Sequence, residues 1–264
     1  MNNFLDFSGK TALVTGAAGA IGKNVARGLA QCGARVMVTD LRQQGVDAAV
    51  AELTEAGFDV AGMAADVTNE AQVKAVVSAA AERFDNQLDI LVNVAGVAGQ
   101  NPIEDITEQE WDLVFAANCK GTFFFIKHVV PMMKARKYGK IVNFASKSGK
   151  TGSALCCHYS AAKGAIITLT QALAFEFAKE GINVNCVCPG ITDHTGVWSF
   201  MSANYIENLQ QEREQVVKQF TSKIPLGRLA GIEDVVGVTV FLCSSGADYM
   251  TGQAINITGG REMH

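Results

Sequence analysis

The sequence predicts an α/β protein in which a single doubly wound parallel sheet of about seven strands carries helices on both faces. Two observations lead to this prediction. Short apolar runs alternate with longer helical patterns, and the runs are apolar at consecutive positions, as in strands buried on both faces. Because 48% of the residues are hydrophobic and only 4 of 264 are proline, residues 1–264 are predicted to form one domain.

Seven apolar runs have the length and composition of strands. They are TALVT (11–15), RVMVT (35–39), DVAGMAA (59–65), LDILVNV (88–94), KIVNFAS (140–146), INVNCVC (182–188) and QAINIT (253–258). Each of the first six precedes a stretch with helical character, for example 70–84 and 108–136. This alternation predicts parallel neighbouring strands joined by crossover helices.

One segment departs from the alternation. Residues 191–224, here called the lid segment, are too many for a tight connection and show helical patterning with mixed charge from about 202 to 220. A long connection after the carboxyl end of a strand commonly covers a ligand site. Trp198, Phe200 and Met201 either form the apolar face of this lid or dock it onto the core.

The charge distribution argues against nucleic acid and anionic membranes as partners. The formal net charge is −4, and the 22 lysines and arginines are scattered without a basic block. No stretch approaches the ~18 consecutive apolar residues of a membrane span. A soluble cytoplasmic protein is therefore expected.

The cysteines are expected to be reduced thiols rather than a disulfide framework. There are seven, an odd number, and no secretion signal is recognisable. The close pairs Cys156/Cys157 and Cys186/Cys188 lack the C-x2-C spacing of zinc sites, so no metal is predicted.

A glycine-rich turn follows the first predicted strand directly. Gly16, Gly19 and Gly22 lie in TGAAGAIG and lead into a predicted helix over 20–32. Glycine lets the backbone turn sharply and approach a pyrophosphate, and the start of the helix offers free N–H donors. The same pattern also occurs where a tight turn needs glycine for steric reasons alone.

Asp40 adds to this turn the second sign of a dinucleotide site of the Rossmann type. It follows the second strand about twenty residues downstream, where a carboxylate can accept hydrogen bonds from the adenosine ribose hydroxyls. It would repel a 2′-phosphate, and Ala17 and Ala18 offer no cation to hold one, although Arg42 lies nearby. NAD is therefore predicted as the cofactor rather than NADP.

Further motifs occur in the order found in one enzyme family. They are TGAAGAIG (15–22), DV (66–67), NVAG (93–96), AANCKG around Asn118, NFAS ending at Ser146, YSAAK (159–163), CPG (188–190) and TGQAINITGG (251–260). By these motifs nearly the whole chain resembles the short-chain dehydrogenase/reductase family. The resemblance implies hydride transfer between a carbinol carbon and nicotinamide. Val94 stands where the family more often has asparagine, at a position that does no chemistry.

The resemblance also implies a set of cofactor-binding residues at the ends of several strands. These are Gly16, Ala18, Gly19, Ile21, Gly22, Asp40, Leu41, Asp66, Val67, Asn93, Ala95, Gly96, Tyr159, Lys163, Pro189, Gly190 and Thr192. The family places a threonine near the nicotinamide carboxamide, and in this sequence both Thr192 and Thr195 could serve.

Tyr159 and Lys163 are four residues apart, which puts them on one face of a helix. A phenol with a pKa of ~10 is a poor base at neutral pH, and a nearby ammonium is expected to lower that pKa. The resemblance implies that Tyr159 exchanges the proton of the substrate hydroxyl and that Lys163 also holds the nicotinamide ribose. It further implies that Ser146 binds the substrate oxygen and that Asn118 anchors a water chain from Lys163 to solvent.

Two helical stretches resemble the family's subunit interface. Residues 161–180 are apolar around much of the predicted helix, which indicates burial on more than one side. With the predicted helix 108–136 they resemble the pair that forms the dimer interface, commonly within a homotetramer. The alternative is an internal helix of a monomer.

Polar side chains near the predicted catalytic group bear on the substrate class. Lys147, Lys150, His158 and His194 would surround it together with Ser146, where an enzyme for steroids or fatty acyl chains tends to carry hydrophobes. Each of the four could equally be a solvated loop residue. Together they favour a polyhydroxylated substrate, with or without a phosphate or carboxylate.

The runs SKSGKTGS and KIPLGR add a resemblance, within the family, to polyol dehydrogenases such as the sorbitol-6-phosphate 2-dehydrogenases. This implies NAD-linked interconversion of a sugar alcohol, or its phosphate, with the ketose. The alternatives are a 3-oxoacyl-thioester reductase or small-diol dehydrogenase of the same family, and a nucleotide-sensing protein without catalysis. The presence of Ser146, Tyr159 and Lys163 argues against the last.

Overall fold

A computed structural model of the chain describes residues 3–209 and 212–264, without the side chains of 204–211 and 213. Seven strands form one sheet in the order β3-β2-β1-β4-β5-β6-β7, and every neighbouring pair is parallel. This confirms the predicted fold class. The strands are β1 Thr11–Thr15, β2 Arg35–Thr39, β3 Val60–Gly62, β4 Ile90–Asn93, β5 Gly139–Phe144, β6 Ile182–Pro189 and β7 Ala254–Ile257.

Helices connect the strands and cover the sheet. They are α1 Ala20–Gln31, α2 Gln43–Glu55, α3 Glu70–Arg83, α4 Glu108–Phe115, α5 Gly121–Arg136, α6 Ser148–Thr151, α7 Cys157–Phe177, α8 Gly196–Leu209, α9 Arg213–Thr221 and α10 Ile232–Cys243. Short 3-10 turns lie at Ile103–Asp105, Ala178–Glu180 and Ser245–Ala247.

Both faces of the sheet are buried, as the consecutive apolar positions of the strands predict. On β1, Ala12 and Val14 join the core formed with α1, α2 and α10. Leu13, between them, points to the opposite face and joins the core formed with α3, α5 and α7. Because successive side chains of a strand alternate between faces, a run that is apolar at every position can serve both layers.

The predicted helix 108–136 is one continuous helical stretch that contains a π-helical segment. The segment Ala116–Lys120 separates α4 from α5, and it carries Asn118. Such segments occur frequently at functional sites, because the extra residue per turn redirects a side chain. The sequence pattern predicts the helix but not this local change.

The stretch Glu108–Arg136 is long and apolar enough to span a membrane by length and composition, although half of its most apolar window is buried inside this fold. A buried core helix passes the same test. On this stretch and on α7, Phe123 is 47% exposed and Phe175 is 88% exposed. Assembly into a homotetramer through these helices stays a prediction.

The lid segment contains two helices, which together extend beyond the helical patterning expected from about 202 to 220. The first, α8, begins at Gly196, and α9 ends at Thr221, while residues 210 and 211 lie outside the described part of the chain. Trp198 is buried and packs edge-on against the ring of Phe220, with centroids 5.6 Å apart. Both rings belong to the lid segment, so this contact packs α8 against α9. Trp198 and Phe200, which is 46% exposed, both line the cleft described below.

Candidate active site

One large cleft of about 1110 Å³ lies along the carboxyl ends of the strands. It runs past the turn after β1 and past residues 94–96 after β4. The strand order reverses between β1 and β4, so the loops after them leave toward opposite faces and open a crevice. Ligands of doubly wound sheets bind at this position.

The glycine-rich turn after β1 is packed too closely for any other residue at two of its positions. Gly16 has a φ of +65°, and a Cβ there would lie 2.8 Å from the backbone nitrogen of Ala95. A Cβ on Gly22 would overlap the carbonyl oxygen of Gly16. Gly19 caps α1 without a side-chain hydrogen bond, so the first-turn N–H groups at the cleft are available to an anion. The turn therefore fits the pyrophosphate of a dinucleotide.

Asp40 stands at the cleft directly after β2, and its orientation is set by backbone donors. Its Oδ2 accepts a hydrogen bond from the N–H of Ala18 at 3.0 Å, and its Oδ1 accepts one from the N–H of Leu41 at 2.8 Å. Carboxylate oxygens have further acceptor positions beyond these two bonds. The carboxylate is thus held beside the glycine turn, where an adenosine ribose would lie.

Fifteen of the seventeen residues predicted to bind the cofactor line this cleft. The two that do not are Ala18 and Asn93. The N–H of Ala18 is directed at Asp40, so this residue contributes to the site through that carboxylate. Asn93 is buried in the sheet, where its Nδ2 donates to Oδ1 of Asn143 at 2.9 Å, so its amide braces β4 against β5.

The structure distinguishes the two candidate threonines, both of which are buried and line the cleft. The hydroxyl of Thr195 donates to the carbonyl of Thr192 at 2.9 Å and accepts from the N–H of Trp198 at 3.2 Å. It thereby caps the start of α8. The hydroxyl of Thr192 makes a longer contact, 3.4 Å, to the carbonyl of Gly190, which leaves it freer to meet a ligand.

Asn118, in the π-helical segment, is held by its amide nitrogen. Nδ2 donates to the carbonyls of Val97 and Val114, each at 2.8 Å, while Oδ1 has no partner among the described residues. A Cβ on Gly96 would overlap this Oδ1 and lie 3.4 Å from Nζ of Lys163. A larger residue at position 96 would therefore collide with Asn118, whose Oδ1 stays available as an acceptor close to Lys163.

Tyr159, Lys163 and Ser146 meet at the cleft, as the resemblance implies. α7 carries Tyr159 and Lys163, and Ser146 follows β5. Nζ of Lys163 donates to the carbonyl of Phe144 at 2.7 Å and lies 5.7 Å from the centre of the Tyr159 ring. A hydrogen bond joins Ser146 to Tyr159 and partly lowers the pKa of the phenol.

The pKa values of the pair differ from the sequence expectation. Burial raises the pKa of Tyr159 to about 12 and lowers the pKa of Lys163 to about 8. Desolvation is the largest cause for both side chains, because burial disfavours the charged form of each. Tyr159 is accordingly protonated at neutral pH.

Of the four basic residues expected around the substrate, the structure places only Lys147 in the cleft. Lys150 points away, and its Nζ donates to the carbonyl of Ala254 on β7 at 2.7 Å. His158 is completely buried, with Nε2 3.5 Å from Oε1 of Glu110. The side chain of His194 is 81% exposed outside the cleft.

Lys150 and His158 were expected at the substrate site because they are close in sequence to the catalytic residues. Lys150 and His158 lie within the same eighteen-residue stretch as Ser146 and Tyr159, but on a helix only every third or fourth residue faces one side. His158 follows Cys157 on α7 and precedes Tyr159, so it faces the core when Tyr159 faces the cleft. Sequence neighbourhood is thus a poor guide to which side chains surround a substrate.

The sequence analysis did not predict two cations that line the cleft, Lys223 and Arg261. Lys223 ends the lid segment, and Arg261 follows β7. The position of Arg261 could have been predicted from the sequence, because the residues that follow each strand of a parallel sheet lie at the same edge of that sheet. Lys223 has no comparable signal, since its position depends on how the lid segment folds back.

The cysteines take no part in a metal site within the described residues. All seven are free thiols, and four of them, Cys156, Cys186, Cys188 and Cys243, are buried. Among residues 3–209 and 212–264, no three His, Cys, Asp or Glu side chains are grouped so that they could hold a metal ion.

Comparisons with known proteins identify the family. The family model described as enoyl-(acyl carrier protein) reductase matches residues 16–262. Sorbitol dehydrogenase of Cereibacter sphaeroides is 36% identical over 97% of this chain and 98% of its own length. Galactitol 2-dehydrogenase of Agrobacterium fabrum is 40% identical over 96% of this chain and 98% of its own length.

Solved structures show the same architecture. A variant of actinorhodin polyketide ketoreductase crystallised with NADPH superposes with a TM-score of 0.93 at 33% identity, covering 100% of both chains. Levodione reductase superposes with a TM-score of 0.90 at 31% identity, covering 97% of this chain and 98% of its own.

The chain therefore belongs to the short-chain dehydrogenase/reductase family. It is an oxidoreductase that acts on CH–OH groups with a nicotinamide cofactor. The alternative of a nucleotide-sensing protein without catalysis is set aside by this assignment and by the assembled Ser146, Tyr159 and Lys163.

Proposed function

We propose that the protein is an NAD-linked dehydrogenase that interconverts a sugar alcohol, with or without a phosphate, and the corresponding ketose. The observation that carries the proposal is the polar wall beside Tyr159. Ser146, Ser148 and Ser153 line it, with Ser148 Oγ and Ser153 Oγ 2.8 Å apart, and Lys147 and Gln219 continue it. Hydroxyl, amide and ammonium groups suit a substrate with several hydroxyl groups.

Tyr159 exchanges the proton of the substrate oxygen. Its phenol is protonated at neutral pH, so it can donate to a ketone oxygen. In the direction of alcohol oxidation the phenol first gives up its own proton, and the phenolate then accepts the proton of the substrate hydroxyl. Ser146 hydrogen-bonds the same oxygen and stabilises the charge that develops on it. When bound, the nicotinamide cofactor supplies the hydride chemistry at the carbinol carbon.

Lys163 and Asn118 support the proton transfer. With a pKa of about 8, Lys163 carries a positive charge in most molecules at neutral pH, and this charge favours the phenolate as Tyr159 loses its proton. Oδ1 of Asn118, which has no partner among the described residues, lies close to Lys163 and can accept a hydrogen bond from a water molecule that carries the proton toward solvent.

The preference for NAD rests on Asp40. A carboxylate fixed by the N–H groups of Ala18 and Leu41 can accept hydrogen bonds from both ribose hydroxyls, and it would repel a 2′-phosphate. Because a similar ketoreductase was crystallised with NADPH, the activities with NAD and with NADP have to be compared directly.

A second candidate function is a ketoacyl-type reductase or a small-diol dehydrogenase. Apolar side chains also line the cleft, among them Leu113, Leu155, Trp198, Phe200 and Met201. An acyl chain could pack there. The high structural similarity to actinorhodin polyketide ketoreductase supports testing this alternative.

The deciding experiment measures initial rates, by absorbance of the reduced cofactor, over hexitols, hexitol phosphates, small diols and 3-oxoacyl thioesters with NAD and NADP. We expect the highest kcat/KM for a hexitol or hexitol phosphate with NAD. Activity confined to acyl thioesters with NADPH would contradict both the substrate class and the cofactor preference.

A further inference from the structure

Charges are segregated along the cleft. The carboxylates that line it, Asp40 and Asp66, follow β2 and β3 at one edge of the sheet. Outside the catalytic pair, the cations are Lys147, Lys223 and Arg261. Lys147 and Arg261 follow β5 and β7, on the opposite side of the central strand β4. The cleft is therefore negative where the adenosine ribose would lie and positive where the substrate would lie.

Lys147 is fixed beside the catalytic group. It is the residue after Ser146, and its N–H donates to the carbonyl of Pro189 at 3.0 Å, which ties the ends of β5 and β6 together. Burial lowers the pKa of Lys147, as does the positive charge of Arg261, while Glu262 raises it. The three charged side chains are therefore electrostatic neighbours, and a bound anion would relieve the repulsion between the two cations.

Arg261 is held by a turn after β7. The N–H of Glu262 donates to Oγ1 of Thr258 at 3.2 Å, and the Thr258 hydroxyl donates to the carbonyl of Glu262 at 3.1 Å. Nε of Arg261 lies 3.3 Å from Oε1 of Glu262. Within the described part of the chain its two terminal nitrogens have no hydrogen-bond acceptor, so they can bind a ligand.

The ion pair does not cancel the positive charge of this region. Glu262 offsets one of the three cations, and its side chain is 8% exposed. Lys223, near the end of the lid segment, is exposed, lines the cleft and adds a further positive charge. The net positive charge beside Ser146 and Tyr159 exceeds what a neutral polyol requires.

We propose that the substrate carries an oxyanion, a phosphate or a carboxylate, which Lys147 and Arg261 bind while Lys223 contributes from the lid segment. The inference rests on the proposed function and narrows its substrate class to anionic polyols. Guanidinium and ammonium groups form charge-assisted hydrogen bonds with both oxyanions, and a phosphate has the larger charge. We expect phosphate esters to bind more tightly than sugar acids.

The test compares Arg261→Gln and Lys147→Met with the wild-type enzyme on a neutral hexitol, the hexitol phosphate and the corresponding sugar acid, with NAD. For the anionic substrates each variant should raise KM roughly 10- to 100-fold with little change in kcat, as the loss of a charged hydrogen bond predicts. For the neutral hexitol, kcat/KM should change by less than about 3-fold. Lys74→Gln, which removes an exposed charge on α3, is the matched control and should change neither.

A measurement without variants guards against misfolding. In the wild-type enzyme the KM for the anionic substrate should rise with ionic strength, and the KM for the neutral hexitol should not. Two results would overturn the inference while leaving the proposed function intact: equal kcat/KM for neutral and anionic polyols, or a fall of equal size for both in Arg261→Gln. Activity on neither class overturns both proposals.

Discussion

The two halves of the cleft are built from different parts of the chain. The cofactor half is formed by backbone: the turn at Gly16 and Gly22 is so close-packed that a Cβ would collide with neighbouring main-chain atoms. The substrate half is formed by side chains, and Lys147, Lys223 and Arg261 come from three distant segments. Backbone sites leave a recognisable spacing in the sequence, whereas side-chain sites assembled over long range leave none.

Tyr159→Phe tests whether catalysis can be lost while cofactor binding is kept, and we expect it to have the largest effect of the variants. Loss of the phenolic oxygen should lower kcat by about 10²–10⁴-fold, because no other group exchanges the substrate proton. The ring keeps its packing, so the dissociation constant of the cofactor, measured by fluorescence of its reduced form, should change by less than about 5-fold.

The control for this variant is Tyr249→Phe, at a tyrosine that is completely exposed and does not line the cleft. It should behave as the wild type does. If Tyr159→Phe turned over at the wild-type rate, the proton would have to pass through another group and the assignment of Tyr159 would be wrong.

Gly22→Ala tests the backbone character of the cofactor half. The added Cβ would overlap the carbonyl oxygen of Gly16 and lie 2.7 Å from its carbonyl carbon, so the turn must shift. We expect cofactor affinity to fall by roughly 10-fold or more and the free energy of unfolding to fall by about 1–3 kcal/mol. Calorimetric titration and urea unfolding measure the two quantities.

Gly237→Ala provides the comparison, since a Cβ on this glycine of α10 meets nothing within 4 Å. It should leave cofactor binding unchanged and stabilise the helix by about 0.5–1 kcal/mol. If the two variants had the same cofactor affinity and the same free energy of unfolding, the turn would accommodate a Cβ without cost. The cofactor half would then not depend on close backbone packing.

His194→Asn is expected to have the smallest effect. It tests whether His194 belongs to the substrate half of the cleft. The imidazole is largely exposed outside the cleft, and asparagine tolerates the residue's φ of +58°. We expect kcat/KM for the preferred polyol to change by less than about 2-fold. A loss above about 5-fold would mean that the lid segment carries His194 into the site during turnover.

Much of the cofactor half was predictable from the sequence. The strand–turn–helix order around Gly16, the carboxylate after β2 and the Tyr159–Lys163 spacing all depend on contacts between residues close in the chain or on a motif with a backbone requirement. The substrate half was predictable only for Ser146 and Lys147. His158 and Lys150 are near the catalytic residues in sequence, but helix geometry and the position of β7 direct them elsewhere.

The sequence by itself determined the sheet, the alternation of layers and the order of the catalytic groups, because hydrophobic periodicity and glycine spacing act over a few residues. Only the tertiary structure decided that Asn118 sits in a π-helical segment, that Trp198 packs against Phe220 within the lid segment, and that Arg261 lies close to Lys147. These relations join residues up to a hundred positions or more apart. They depend on how the seven strand ends converge at one edge, which no local pattern encodes.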